Sequence, residues 1–339
     1  MKIVFLVINY MPHQITSIKA VIKAVDAKVY AFTHKNDTDN PQGVAGLELC
    51  KFKNKHDLLQ QIMEINPSMV VVAGWAVKDF VWVAKRLRSL LAIPVVSYSD
   101  TQWLGNFRQR VNTFISPWHL RRAFTHLWVA GYYQYEYARK LGFKRENIIY
   151  NALSCDMELF SSASPPFCLG AKQLLFVGRF VPVKGLDKLV EAWSSIEQKN
   201  GWRLKLVGEG PLMADLGGVD DIEITGYLDQ KLLVEEMSRS SAFILPSNFE
   251  PWALVLHEAA AAGLPIIATR CCGAAPHFVV NNFNGYQVDD SVAGLKKGIE
   301  KLISHEPSML KKYSENSRVL ACSITPEKGA AQLLSIMEV

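Results

Sequence analysis

Short apolar runs rich in β-branched residues alternate with amphipathic stretches along almost the whole 339-residue chain. That is the pattern of parallel strands joined by crossover helices, and it predicts an α/β fold. In the first half, strands are expected at 3–8, 28–32, 47–52, 69–73, 95–98 and 127–130. Most of these runs are continuously apolar, as strands covered on both faces are. Helical periodicity falls between them at 56–65, 78–91 and 132–141. The pattern then restarts, with strands expected at 174–177, 203–207, 222–225, 242–245, 266–268 and 286–288. Only helical patterns follow, at 292–303, 308–321 and 326–337. The join is marked by Ser161-Ser162-Ala163-Ser164-Pro165-Pro166, small and proline-rich as linkers are. The expected organisation is a Rossmann-like domain over 1–160, a second over 161–320, and a C-terminal helix within 321–339 free to pack back on the first. Open parallel sheets bind ligands outside the carboxyl ends of their strands. A cleft between the halves is therefore the expected place for a site.

Composition supports that division. At 49% apolar residues, a chain of this length can bury two cores of ordinary domain size. Charge is uneven: residues 1–150 hold 20 Lys and Arg against 10 Asp and Glu, and residues 151–339 hold 17 against 22. A basic half joined to an acidic one suggests that only the first faces an anionic surface or acceptor. The basic half lacks a recognised nucleic-acid module, so no nucleic-acid partner is expected. Residues 1–10 are apolar but too few to span a bilayer, and they lack a signal peptide's basic start and cleavage site. A cytoplasmic location is expected. The six cysteines contain no Cys-x-x-Cys pair, which suggests neither a zinc site nor a disulfide framework.

The chemistry gathers in the second half. Residues 174–185 end an apolar strand with Gly178 and then offer Arg179 and Lys184 before a helix. An arginine fork, a mobile lysine and a helix N-terminus suit a diphosphate; two solvated cations are the other reading. Gly208 and Gly210 end the next strand, where backbone must come close to something, although the full Gly-x-Gly-x-x-Gly fingerprint is absent because position 213 is Met. Further on, Glu250 precedes Pro251, which fits the first turn of a helix, and Glu258 follows eight residues later among Ala259 to Ala262. Eight helical residues rise roughly 12 Å, too far for the carboxyl pair of a glycosidase, which needs about 5–9.5 Å. The spacing instead suits one extended ligand held at two places.

These residues resemble the retaining glycosyltransferases of the GT-B fold, family 4 (glycosyltransferases group 1). The resemblance rests on Val-Gly-Arg-x-x-x-x-Lys-Gly at 177–185, Gly-x-Gly-Pro at 208–211, Thr-Gly-Tyr-Leu at 225–228, Glu-x7-Glu from Glu250 to Glu258, Ala-Gly-Leu-Pro-Ile-Ile-Ala-Thr at 262–269 and Asn-Gly-Tyr-Gln-Val at 284–288. It covers residues 147–290 strongly and the first half in outline. It implies two Rossmann-like domains facing a central cleft, a nucleotide-sugar donor held by the second and a glycan or lipid-linked acceptor by the first. Arg179 and Lys184 would bind the diphosphate, Glu258 the ribose, and Glu250 the donor sugar near the reacting carbon. Backbone at Tyr227 and Leu228 would meet the base, and the amides of Ala253, Leu254 and Val255 the sugar and phosphate. No metal or other cofactor is expected, since two cations and helix-terminal amides can stabilise a departing diphosphate. Asp37-Thr38-Asp39 spells the Asp-x-Asp of metal-dependent transferases but stands in a polar, turn-forming stretch. Retention of configuration and a role in surface polysaccharide assembly come from the resemblance alone.

Three positions depart from the family's pattern. The loop 9–16 has no glycine pair, Ala253 stands where glycine is usual, and His277 stands where glutamate is common. On the acceptor side, Asp100 ends the run 95–100 and could orient a hydroxyl or cap a helix. His13 could reach the cleft from its loop. Residues 103–122 mix aromatics with Arg108, Arg110, Arg121 and Arg122, which fits either contact with an anionic membrane or lipid diphosphate or a plain amphipathic helix with solvated arginines. Two other functions share the fold: a nucleotide-sugar epimerase, which would need an acid and base flanking the sugar, and a non-catalytic nucleotide-binding scaffold, which has no use for a sugar-end carboxylate.

Overall fold

A computed structural model describes residues 1–34, 43–165, 172–216 and 221–337. The chain divides into two units, Met1–Ser154 with Thr325–Val339, and Cys155–Ile324. The Asp37-Thr38-Asp39 stretch and Cys168 lie outside the described residues.

In the first unit the order is β1 (Lys2–Val7), α1 (Pro12–Val25), β2 (Lys28–Thr33), β3 (Leu47–Cys50), α2 (Lys55–Ile65), β4 (Met69–Ala73), α3 (Lys78–Leu90), β5 (Val95–Ser99), α4 (Phe107–Ile115), α5 (Leu120–Ala123), β6 (His126–Val129), α6 (Tyr132–Lys140) and β7 (Ile148–Ile149). The sheet runs β3-β2-β1-β4-β5-β6-β7 with every pair parallel. β1 and β4 are central and almost wholly apolar, and Ile3, Val4, Val70, Val71 and Val72 are fully buried. Both faces of these strands are covered, which is why they read as continuous runs rather than alternations. Residues 12–16, read from the sequence as loop, form the first turn of α1. Pro12 sits at the start, where its missing N–H costs nothing, and Asp26 closes the helix in the left-handed conformation.

The second unit comprises α7 (Met157–Ser161), β8 (Gln173–Val177), α8 (Leu186–Ser194), β9 (Arg203–Val207), β10 (Ile222–Thr225), α9 (Gln230–Arg239), β11 (Ala242–Leu245), α10 (Leu254–Ala262), β12 (Ile266–Thr269), α11 (Ala275–Phe278), β13 (Gly285–Val288), α12 (Val292–Ile303) and α13 (Pro307–Ala321). Its sheet runs β10-β9-β8-β11-β12-β13, again all parallel. The division between units falls at Ser154/Cys155 rather than near residue 160, because α7 packs against α10 and buries Phe160 there. The small, serine-rich stretch begins only where α7 ends. A last helix, α14 (Pro326–Leu334), belongs to the first unit and packs along α1.

In both units the strand order reverses beside the strand that opens the sheet, between β1 and β4 in one and between β8 and β11 in the other. Ligands of open parallel sheets bind outside the carboxyl ends of the strands at such a reversal.

Candidate functional site

At the reversal in the second unit, strand register sets the geometry. Val177 pairs with Val207, and Val207 with Thr225, so three strands end level. The ladder continues past them: the Gly178 N–H donates to Val207 O and the Gly208 N–H to Thr225 O, both at 3.0 Å. A Cβ on Gly208 would lie 1.9 Å from Gly178 O, and one on Gly210 would lie 2.4 Å from Phe180 O. The close approach that these glycines permit is thus to the neighbouring backbone of 178–180, and it fixes the loop carrying Arg179. Gly185, at φ 66°, likewise lets the turn after Lys184 sit against Pro246 O. The Arg179 guanidinium is exposed and, among the described residues, makes no hydrogen bond or ion pair.

Lys184 and Glu250 meet directly. Lys184 Nζ pairs with Glu250 Oε1, and Ser247 Oγ donates to the same oxygen at 3.0 Å. Both side chains are largely buried, 14% and 12% exposed. A charge so enclosed needs a partner, and each supplies the other's. Backbone holds Glu250 in place: its N–H donates to Cys271 O at 3.1 Å and its C=O accepts from Gly273 at 3.0 Å. Asn248 clamps the lysine's turn, its N–H donating to Val183 O and its amide to Pro182 O. Lys188 Nζ donates to Asn248 Oδ1 at 2.8 Å. Thr269 Oγ1 donates to Ser247 O at 2.5 Å. The sequence reading missed Ser247, Asn248, Lys188 and Thr269; a polar cluster between a strand end and a helix was the available signal.

Pro251 does not open the helix. Residues 251–253 form an extra bend pinned by Ala274 N–H on Trp252 O at 2.7 Å, and α10 begins only at Leu254, after Ala253 at φ 78°, ψ 69°. This is the position where the family pattern has glycine, and the left-handed backbone is the reason. The expected helical rise of roughly 12 Å between Glu250 and Glu258 fails for the same cause, since only the last part of that interval is helical. No side chain caps α10, so the first-turn N–H groups at Leu254 and Val255 have no partner within the helix. One turn on, Glu258 keeps part of its surface accessible, yet burial pushes its carboxyl up to about 7. His277 packs its ring 5.2 Å from Trp252 and is pushed down to about 4 by burial. At the edge, the Tyr227 N–H donates to Glu209 Oε1 at 3.2 Å while its side chain stands 75% exposed; Leu228 is half-buried.

The acceptor-side candidates belong to the first unit. His13 lies on the first turn of α1, not in a loop, beside a small cavity of about 10 Å³ lined also by Val7, Gln14, Tyr98 and Trp128. Burial pushes it down to about 4. Gln14 bonds Tyr98 Oη and accepts from the Met11 N–H, fixing that turn. Asp100 caps no helix: the next helix is capped by Asn106, whose side chain accepts from Gln109 N–H. The Asp100 backbone C=O accepts from Gln134 Nε2 at 3.1 Å, and although the residue is exposed, desolvation by the surrounding protein raises its carboxyl above the ordinary value.

Comparison with known proteins bears on the same half of the chain. Residues 160–319 match the family described as glycosyl transferases group 1. An uncharacterized glycosyltransferase of Haemophilus influenzae is 32% identical over 44% of this chain and 44% of its own length. One from Methanocaldococcus jannaschii is 29% identical over 48% and 47%. The chain thus spans about half the length of these relatives. The structure of HepE from Anabaena, solved in complex with UDP, superposes with a TM-score of 0.81 at 16% identity, covering both chains fully. The fold is GT-B, two Rossmann-like units in one chain, and the chain carries a domain of the glycosyl transferases group 1 family. The enzyme class read from the sequence, glycosyltransferase, is that of this domain.

Proposed function

We propose that the protein is a retaining, metal-independent glycosyltransferase moving a sugar from a nucleotide-diphosphate sugar to a glycan or lipid-linked acceptor in surface polysaccharide assembly at the cytoplasmic face of a membrane. The observation that carries the reading is the Lys184–Glu250 pair at the β8/β11 reversal; the exposed Arg179 guanidinium, unpartnered among the described residues, and the uncapped first turn of α10 support it. Arg179 and Lys184 hold the diphosphate. Glu250, fixed on its backbone, accepts from sugar hydroxyls. Glu258 accepts from the ribose, Tyr227 and Leu228 border the base, and the amides of Ala253, Leu254 and Val255 point at sugar and phosphate. In the transfer, the bond from the anomeric carbon to the phosphate oxygen breaks as one from the acceptor oxygen forms on the same face. The acceptor's proton passes to the departing phosphate oxygen, whose charge the two cations stabilise. Asp100 and His13 are the candidates for orienting the acceptor hydroxyl.

The test is thermal stabilisation by UDP, GDP, ADP and CMP, each with and without chelator. UDP is the first choice, because HepE was solved with it. A ligand at 100 times its Kd raises stability by about 2.7 kcal/mol. The expected result is a shift from one nucleoside diphosphate, unchanged by chelator and lost in Arg179→Ala. A shift that requires a divalent ion removes metal independence, and no shift with any nucleotide removes the donor site. Anomeric configuration of the product decides retention. Inverted nucleotide sugar formed without acceptor would instead mean an epimerase.

A further inference from the structure

Helix α4 is amphipathic in the reverse sense. Phe107, Val111, Phe114 and Ile115 recur at helical spacing and Trp118 extends the series, a stripe that ordinarily faces a core. Here they are 83, 40, 74, 37 and 62% exposed. The residue that α4 buries is polar: Gln109 Oε1 accepts from the N–H groups of Leu104 and Gly105 at 2.7 and 3.1 Å, and Gln109 Nε2 donates to Gln102 O at 2.7 Å. A satisfied glutamine therefore anchors the helix and turns its apolar ridge outward.

The ridge runs into a basic groove. Phe114 and Trp118 have ring centroids 5.9 Å apart. Trp118 in turn lines a groove of about 530 Å³ with Trp82, Lys85, Arg86, Arg88, Arg121 and Arg122. Arg86 lies over the Trp82 ring at 5.4 Å, and Lys85 Nζ is 3.0 Å from His119 Nδ1. Among the described residues none of these five cations is paired with a carboxylate; the ion pairs of this unit are at Lys28–Glu48, Lys140–Glu136 and Lys144–Glu146. Unpaired cations beside a large exposed apolar stripe mark a binding surface rather than chance exposure.

We infer that this face docks on an anionic lipid bilayer. The ridge enters the boundary between headgroups and acyl chains, and the groove takes lipid phosphates, as amphipathic interfacial helices with basic flanks do. Charge favours this occupant over a second copy, because a two-fold contact would set the five cations against their own equivalents. Ridge composition favours it over nucleic acid, which stacks bases on rings spaced along a basic track, whereas Val111 and Ile115 stack nothing and the groove's cations stand to one side on α3 and α5. The inference does not rest on the transferase reading.

The full chain is sedimented with vesicles of phosphatidylcholine, alone or mixed with phosphatidylglycerol, over a salt series. The expected result is binding to the anionic vesicles only, weakened by salt. F114S/W118S and R121S/R122S each bind more than about tenfold more weakly while melting at the wild-type temperature. Acyl chains carrying bromine quench wild-type tryptophan fluorescence more than that of Trp118→Phe. Equal binding to neutral vesicles, no binding to either, or an undiminished F114S/W118S overturns the proposal. So does competition by an oligonucleotide that displaces the protein from vesicles while F114S/W118S binds that oligonucleotide normally. Self-association abolished by the same substitutions, without vesicle binding, assigns the face to a dimer instead.

Discussion

Glu258 is a carboxyl that the fold holds against its preference. Burial raises it from 4.5 to about 7, so between those values the folded state binds more protons than the unfolded state. Stability contributed at that position is then present below about 4.5 and falls as pH rises through 7. The size of the effect is about 3 kcal/mol, at 1.36 kcal/mol per pKa unit. Glu258→Gln, of nearly the same shape and unable to ionise, should therefore melt higher than wild type at pH 8 and equal to it near pH 4. If the carboxylate serves to accept from ribose hydroxyls, the same variant loses most of the thermal shift with nucleotide diphosphate. Equal melting at pH 8 would show that the carboxyl is better solvated than its surroundings suggest. A more stable variant that still binds nucleotide normally would separate the burial from the ribose. Stability surrendered at a binding residue is the usual trade in a functional site.

At the level of the element, α10 shows how far the sequence could be read. Its apolar run and the adjacent glutamates located it, but the residue at which it starts depended on a bend that neither propensity nor periodicity encodes. Pro251 fitted a first turn, yet tertiary bonds from Gly273 and Ala274 hold 250–252 in an extended bend. Ala253 must then turn left-handed to enter the helix. The helix's far end carries a sequence signal, Gly263 in the left-handed conformation, but the bonds that Arg318, from α13, donates to the carbonyls of Ala261 and Ala262 as well as Ser161 and Ala163 carry none. By contrast the central strands were legible, because full burial on both faces writes itself as an unbroken apolar run, whereas β7, two residues at the sheet edge, was not expected. For α4 the sequence left two readings open, because which way an apolar stripe faces is not a property of its periodicity. The charged donor-site candidates were legible as motif spacing, whereas Ser247, Asn248 and Thr269, which position them, carry no spacing signal. The Ala253 position yields a direct test. A left-handed non-glycine residue costs roughly 1–2 kcal/mol, so Ala253→Gly should stabilise the second unit by about 1 kcal/mol after glycine's greater unfolded freedom is set against it. That is a rise of roughly 2–4 °C in melting temperature for a unit of this size. An unchanged or lower melting temperature would mean that the backbone there relaxes once the methyl group is gone.

On the scale of the whole molecule, the chain's path makes one unit discontinuous. It leaves the first unit at Ser154, completes the second, and returns at Thr325 to place α14 along α1. Gly329 permits that return: a Cβ there would lie 2.6 Å from Asn151 O and 3.5 Å from the Trp128 ring. Asn151 itself sits at φ 62° and donates to Gln332 Oε1 at 2.9 Å. The end of β7 and the last helix are thus fitted to each other across nearly the whole sequence, and the first unit cannot be complete until the second has been synthesised. Contacts of such sequence separation form late, because loop closure must precede their reward. Gly329→Val forces the added side chain onto a backbone oxygen, which cannot move as a side chain would, and should detach α14 locally. Hydrogen exchange read by mass spectrometry is expected to rise in α1, β7 and α14 while β8 to β13 keep wild-type protection. On the proposed donor reading, UDP should then protect the second unit's strand ends in the variant to the same extent as in wild type. Exchange that rises equally in both units would show that the second depends on the first for its stability, and the donor site would have to be understood as a property of the assembled chain rather than of its own sheet.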